Sequence, residues 1–200
     1  LSALLSKGNL RAEKGECHLY KADVIEHSFG NKFIAIPPHM LDGTYELSPQ
    51  FVMDLKMYLD AFGKDLYLGA NRTYQANDNK RLHQIARLSE KFGVPMVATN
   101  DVHYHLSKRR ELQDVLTCIR EKCTIYNAGF RLHQNAERYL KPNREMLRLF
   151  REYPDAILRT KEIAEACNFT LDSLKYEYPE EITSEGRSPQ EELTYLSWEG

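Results

Sequence analysis

The stretch Pro95–His105 reads PMVATNDVHYH, which sets an acid and two imidazoles directly after a short apolar run. Asp101, His103 and His105 alternate with other residues, so on an extended segment their side chains leave the backbone on one side. Aspartate and histidine suit zinc, manganese or iron. A metal there needs one or two further ligands from other parts of the chain. The same residues have a second reading. Asn100 and Asp101 can shape a turn or cap a helix, with the histidines satisfying local hydrogen bonds. Next come Lys108, Arg109 and Arg110, joined by Arg120 and Lys122. That basic patch can meet phosphates or a partner, or can be a solvated helix face.

Other chemistries find no support. There is no Gly-x-Gly-x-x-Gly, no Walker loop and no Gly-x-Ser-x-Gly. His83 falls inside a helical pattern, on its surface. His18, His27, His39 and His133 lie in segments that the sequence does not place relative to Asp101.

The elements around the motif follow from periodicity. Leu1–Leu10 reads as a helix closed by Gly8-Asn9, and Lys21–His27 as a second helix. Lys32–Ile36 is a strand ended by Pro37-Pro38. Ser48-Pro49 starts an amphipathic helix that runs to Phe62, with Phe51, Val52, Leu55, Tyr58 and Leu59 on its apolar face. Leu66–Ala70 is a strand. Asn77-Asp78 caps a helix that closes at Phe92-Gly93, and Val94–Thr99 is the next strand. Its unbroken apolar run suits a strand covered on both faces. The alternation predicts an α/β protein with a largely parallel sheet. Ligands of such sheets bind beyond the carboxyl ends of the strands, where Asn100, Asp101 and His103 stand.

Farther on, Ser107–Arg120, Pro142–Phe150 and Pro154–Cys167 read as helices, and Leu171–Glu181 as extended. Tyr178, Pro179, Glu180 and Glu181 suggest a linker. Ser188-Pro189-Gln190-Glu191 resembles a capped helix start, with Leu193, Leu196 and Trp198 as its apolar side. The expected core holds Leu68, Leu82, Ile85, Val94, Met96, Val97, Leu112, Leu116, Ile119, Leu147, Phe150, Ile157, Ile163 and Ala164.

The chain's 200 residues suffice for one domain with a core and a helical appendage. Its 27 basic and 29 acidic residues leave a net charge of −2, so any nucleic-acid contact must come from a local patch. Cys17, Cys118, Cys123 and Cys167 show no Cys-x-x-Cys spacing, which suits reduced thiols in a cytoplasmic protein. No apolar run approaches the roughly 18 residues of a membrane span. The start at Leu1 without Met and the stop at Trp198-Glu199-Gly200 suggest a piece of a longer protein.

VPMVATNDVHYH, RRELQDVLTCIREKCTI, AGFRLHQNAERYLKP, EMLRLF, EIAEAC and LDSLKYEYPEE follow one another in an order that resembles the bacterial DnaE-type DNA polymerases. These are the alpha-subunit class of DNA polymerase III. LSALLSKGNLRAEKGECHL fits their error-prone, translesion branch. The resemblance covers nearly the whole chain.

It implies that residues 1–140 are the later part of a polymerase-and-histidinol-phosphatase (PHP) domain, a distorted (β/α) barrel. Residues 141–200 would be a helical extension and linker toward the polymerase palm. It further implies a parent that copies DNA from deoxynucleotides with Mg, in replication and translesion repair. The palm carboxylates would lie beyond Gly200, leaving this segment inactive alone.

Asp101 and His103 match a late Asp-x-His ligand pair for a Zn, Mn or Fe ion. The early His-x-His pair would lie before Leu1. Gly69 and Thr73 stand where metal-binding relatives carry Glu and then His, a departure that suggests a degenerate site. Three roles follow for the segment. It can be scaffold, part of a metal-dependent phosphoesterase or 3′–5′ exonuclease, or a metal-free module. The last would offer Lys108, Arg109 and Arg110 to other polymerase domains or to replication and repair proteins.

Overall fold

Ser48 and Pro49 begin a long helix of the first half as their types require. In the computed structural model, Ser48 Oγ accepts from the Phe51 amide at 3.2 Å, and the helix runs Pro49–Phe62. The structure describes residues 1–175, 183 and 186–199. By its contacts the chain divides into Leu1–Ala166 and Cys167–Gly200.

The first unit is α/β. Its elements are α1 (Ser2–Arg11), α2 (Lys21–Glu26), β1 (Phe33–Ala35), α3 (Pro49–Phe62), β2 (Leu66–Ala70), α4 (Asp78–Phe92), β3 (Met96–Ala98), α5 (Arg110–Arg120), α6 (Asn143–Leu149) and α7 (Pro154–Ala166). The sheet order is β1-β2-β3, all parallel, with Phe33 opposite Leu66 and Leu68 opposite Met96. Parallel strands need long crossovers, and α3 and α4 supply them. All five β2 residues are buried, and so are the three of β3, the latter as the unbroken apolar run at Val94–Thr99 predicts.

Leu66, Leu68, Ala70, Met96 and Ala98 pack with Leu55 and Phe62 of α3 and Leu82, Ile85 and Leu88 of α4. Phe33 stacks on Phe62 with ring centroids 3.9 Å apart. Phe150 and Ala156 join this core, and Tyr67 donates to Glu162 of α7 at 2.8 Å. The stretch from α6 through α7 therefore packs with the sheet.

Several expectations need correction. Gly8 does not close α1. It lies inside the helix, where an added Cβ would sit 2.6 Å from Cys17 Sγ and 2.8 Å from Leu19 Cδ2. The glycine permits that close approach. Asn77 makes no side-chain cap, and the Asp78 carboxylate instead accepts from the Thr73 amide at 2.9 Å. Leu112, Leu116 and Ile119 of α5 are exposed rather than core, as are Leu147 and Ala164. Ile157 and Ile163 are half-buried. The spacing on α5 is that of a buried face, but among the described residues nothing covers it.

Among its described residues the second unit contains a 3-10 turn at Leu171–Ser173, where the start of an extended run was expected, and α8 (Pro189–Glu199). The expected linker at Tyr178, Pro179, Glu180 and Glu181 lies outside the described residues. Ser188 caps α8 as expected. Its amide and hydroxyl donate to Glu191 at 2.8 and 2.9 Å, bonds that hold the Glu191 carboxyl below its usual range. Leu193, Leu196 and Trp198 are exposed.

Candidate functional site

The chain leaves β3 through Thr99, whose amide donates to Ala70 O of β2 at 2.7 Å. Two residues later Asp101 adopts φ 45°, a left-handed conformation that aspartate tolerates better than most residues. The segment is therefore bent at Asp101, not extended. The bend still brings the pair together, with His103 Nε2 3.7 Å from Asp101 Oδ1.

From Val102 onward the backbone is held by a distant stretch, 137–141. The His103 and Tyr104 amides donate to Arg138 O at 2.8 and 3.3 Å, and the Leu140 amide returns to Tyr104 O at 3.0 Å. Tyr104 and Tyr139 form a parallel bridge. Asn100 Nδ2 donates to Tyr139 O at 3.1 Å. Lys141, whose side chain is fully buried, reaches Asn100 Oδ1 at 3.5 Å and the carboxylate of Glu137 at 3.6 Å. Burial pushes the Lys141 ammonium below its usual value, while Glu137 opposes that shift.

This arrangement delivers Arg138 to the motif. Its Nη1 donates to Asp101 Oδ2 in a short charge-assisted bond and lies 3.2 Å from His103 Nε2. An arginine only donates, so at this contact the His103 Nε2 side is the acceptor side. Two more histidines converge. His39, just past β1, places Nε2 3.8 Å from Asp101 Oδ2. His133 meets His103 edge-on with centroids 4.9 Å apart. Burial first, then nearby cations, lower the affinity of both rings for a proton. The cations are Arg81 and Arg138 at His39, and Arg138 at His133, where His103 adds to the effect.

A second arginine closes the ends of β1 and β2. Arg81 of α4 is 3% exposed. Its Nε donates to Pro38 O at 2.8 Å, Nη2 to Pro37 O at 3.0 Å and Nη1 to Asn71 Oδ1 at 2.6 Å. On β2, a Cβ added to Gly69 would sit 2.6 Å from Ile36 Cδ1 and 3.1 Å from Ile34 Cγ2, so isoleucine fills the room beside it. Thr73 is buried, its amide bonded to Asp78 and its carbonyl to Asn135 Nδ2 at 2.7 Å.

These residues do not fit a divalent ion as they stand. Among the described residues, no group of three or more His, Cys, Asp or Glu side chains is arranged to hold one. Where an ion would join Asp101 to His103, a guanidinium already does. His105 is exposed and outside the cluster. Sequence reasoning missed Arg138, Arg81, His39 and His133. No local pattern marks them, because each is brought in by tertiary contact.

The basic patch is split. Lys108 and Arg109 are exposed. Arg110 turns inward, donating to His133 O at 2.6 Å and facing Asp114 with Nε 3.4 Å from Oδ2. Beside it, Leu112, Val115, Leu116 and Ile119 leave a continuous apolar face on α5, each at least half exposed. No described helix is long and apolar enough to cross a membrane.

No family model matches the chain. Curated relatives match all of it. An error-prone DNA polymerase of Caulobacter vibrioides is 45% identical over 200 residues, and one of Rhodopseudomonas palustris 44% over 200. One of Brucella abortus is 42% identical over 201 residues. The chain spans about 18% of the length of each. It is similar, from end to end, to a segment of error-prone DNA polymerases.

Proposed function

We propose that this chain is a segment of a DnaE-type, error-prone DNA polymerase, and that the segment is scaffold within it. The observation that carries the reading is the unbroken similarity of all 200 residues to curated error-prone DNA polymerases at 42–45% identity. The parent would extend a primer from deoxynucleotides with Mg, through paired carboxylates outside these residues. The parallel sheet and its helices would form part of the PHP-type barrel of that parent.

The strand-end geometry favours scaffold over phosphoesterase. A hydrolytic site needs a metal-bound water, or a free base beside an open ligand position. Here Asp101 and His103 are engaged by Arg138, and the strand ends of β1 and β2 are tied by Arg81. The apolar face of α5 supports the same reading. More than four fifths of each relative lies outside the matched segment, and a parent of that length would have chain to cover it. Lys108 and Arg109 flank that face and would contact the same neighbouring domain, a partner protein or DNA.

The test is templated primer extension by the intact protein with Mg and four deoxynucleotides. Extension past a template lesion is expected. Absence of any extension by folded protein overturns the polymerase reading.

A further inference from the structure

The cluster at the end of β3 gathers the donor types of a transition-metal site around a group that is not a metal. Asp101 Oδ1 and His103 Nε2 are 3.7 Å apart, a separation one ion could span with bonds of roughly 2.0–2.2 Å. His39 Nε2 lies 3.8 Å from Asp101 Oδ2, and His133 packs against His103. Arg138 Nη1 meets both members of the pair. The Arg138 side chain is 11% exposed, and its own carbonyl is fixed by two amides of the segment it serves. Its charge is permanent, because a guanidinium does not lose its proton in a protein.

We infer that Arg138 is the resident cation of this site. Its guanidinium takes the position between Asp101 and His103 that a divalent ion would take, excludes that ion, and holds residues 137–141 against 102–104. The inference rests on reading the strand ends as scaffold and says how the scaffold is held. Asp101 has its counter-charge from Arg138, so an incoming dication gains little from the carboxylate and meets a fixed positive charge at short range. Arg81 adds a second buried guanidinium near His39.

Cation and metal are therefore alternatives at one position. Withdrawal of the guanidinium leaves one carboxylate and imidazoles facing one another, a donor set suited to zinc or cobalt. Lysine should substitute in part. Arg138 meets both Asp101 and His103 through the single nitrogen Nη1, and an ammonium keeps the charge on a shorter side chain.

Cobalt(II) titration of the intact protein, followed by visible absorption, tests this. Wild type should show no absorption band that depends on Asp101. Arg138→Ala should gain one, with cobalt affinity at least about tenfold above wild type, and Asp101→Asn/Arg138→Ala should lose it again. Arg138→Lys should stay close to wild type. Circular dichroism checks that each variant is folded. If the alanine variant is not, Arg138→Gln carries the test, since it keeps a polar side chain there while removing the guanidinium charge. It too should gain the band.

An Asp101-dependent band in wild type overturns the inference. So does a folded Arg138→Ala or Arg138→Gln protein that gains no cobalt. Primer extension run on the same wild-type preparation separates the two readings. Its failure counts against the polymerase assignment and leaves the cobalt result standing.

Discussion

Replacing Arg81 with methionine should destabilise the first unit by about 3 kcal/mol, within a range of roughly 2–4 kcal/mol. Arg81 is almost fully buried and donates at 3.0 Å or less to three acceptors, Pro37 O, Pro38 O and Asn71 Oδ1, with a longer bond to Asn71 O at 3.5 Å. Methionine keeps much of the apolar stem but offers no donor. Each acceptor left dry costs about 1–3 kcal/mol, so the low end for the three gives about 3 kcal/mol, while the retained packing leaves the balance unchanged. Burial opposes the charged form of Arg81, so removing the charge returns part of the cost. The loss of three acceptors still outweighs this gain. Urea unfolding at neutral pH measures it. With an m-value of about 2 kcal/mol/M, the midpoint should fall by about 1.5 M at unchanged m. Arg87→Met is the control, because Arg87 is exposed and reaches Glu46 only at 3.9 Å. It should change stability by less than about 0.5 kcal/mol. A loss below about 1 kcal/mol for Arg81→Met would refute the view that this guanidinium ties the strand ends.

Leu55, fully buried between α3 and the sheet, should cost about 2–5 kcal/mol on change to alanine, read by the same unfolding assay. Ser48→Ala removes the cap of α3 and should cost about 0.5–2 kcal/mol, with Ser48→Asp close to neutral. Leu116→Gln on the exposed face of α5 should change the stability of residues 1–200 by less than about 0.5 kcal/mol. In the intact protein it should be more destabilising if a further domain covers that face. Asp23 is held well below the usual carboxylate range by Arg11 first, then by the Tyr20 amide and Lys7. A depressed folded pKa contributes stability that is full above the unfolded value, near 3.8, and lost as pH falls below it. The stability difference between wild type and Asp23→Asn should therefore shrink between pH 6 and pH 2, in unfolding curves taken across that range.

The sheet and its crossovers were legible because their signals are local. Ser48-Pro49 sets the start of α3, the apolar run at Val94–Thr99 gives a strand buried on both faces, and Leu82, Ile85 and Leu88 fall on one side of α4. The α5 residues show the limit of the same method. Their spacing states which face is apolar, and only the presence of a neighbour decides whether that face is buried. Ala164 failed for a related reason, since alanine carries little information about burial on a helix exposed along much of its length. At the site, Asp101 and His103 were readable from two positions in the sequence. Arg138 lies 37 residues from Asp101, and nothing in AERYLKP announces that its arginine will serve a strand end. At Gly69 the sequence shows only the missing side chain, and the structure shows that Ile36 and Ile34 occupy the space a Cβ would take.

The most direct test of scaffold against hydrolase is one gel. The intact protein is given a 5′-labelled primer on a template, first with Mg and deoxynucleotides, then with Mn or Zn and none. The account predicts lengthening in the first lane. It predicts no shortening in the second that differs between wild type and Asp101→Asn. Metal-dependent shortening from the 3′ end that wild type performs and a folded Asp101→Asn protein does not would contradict it.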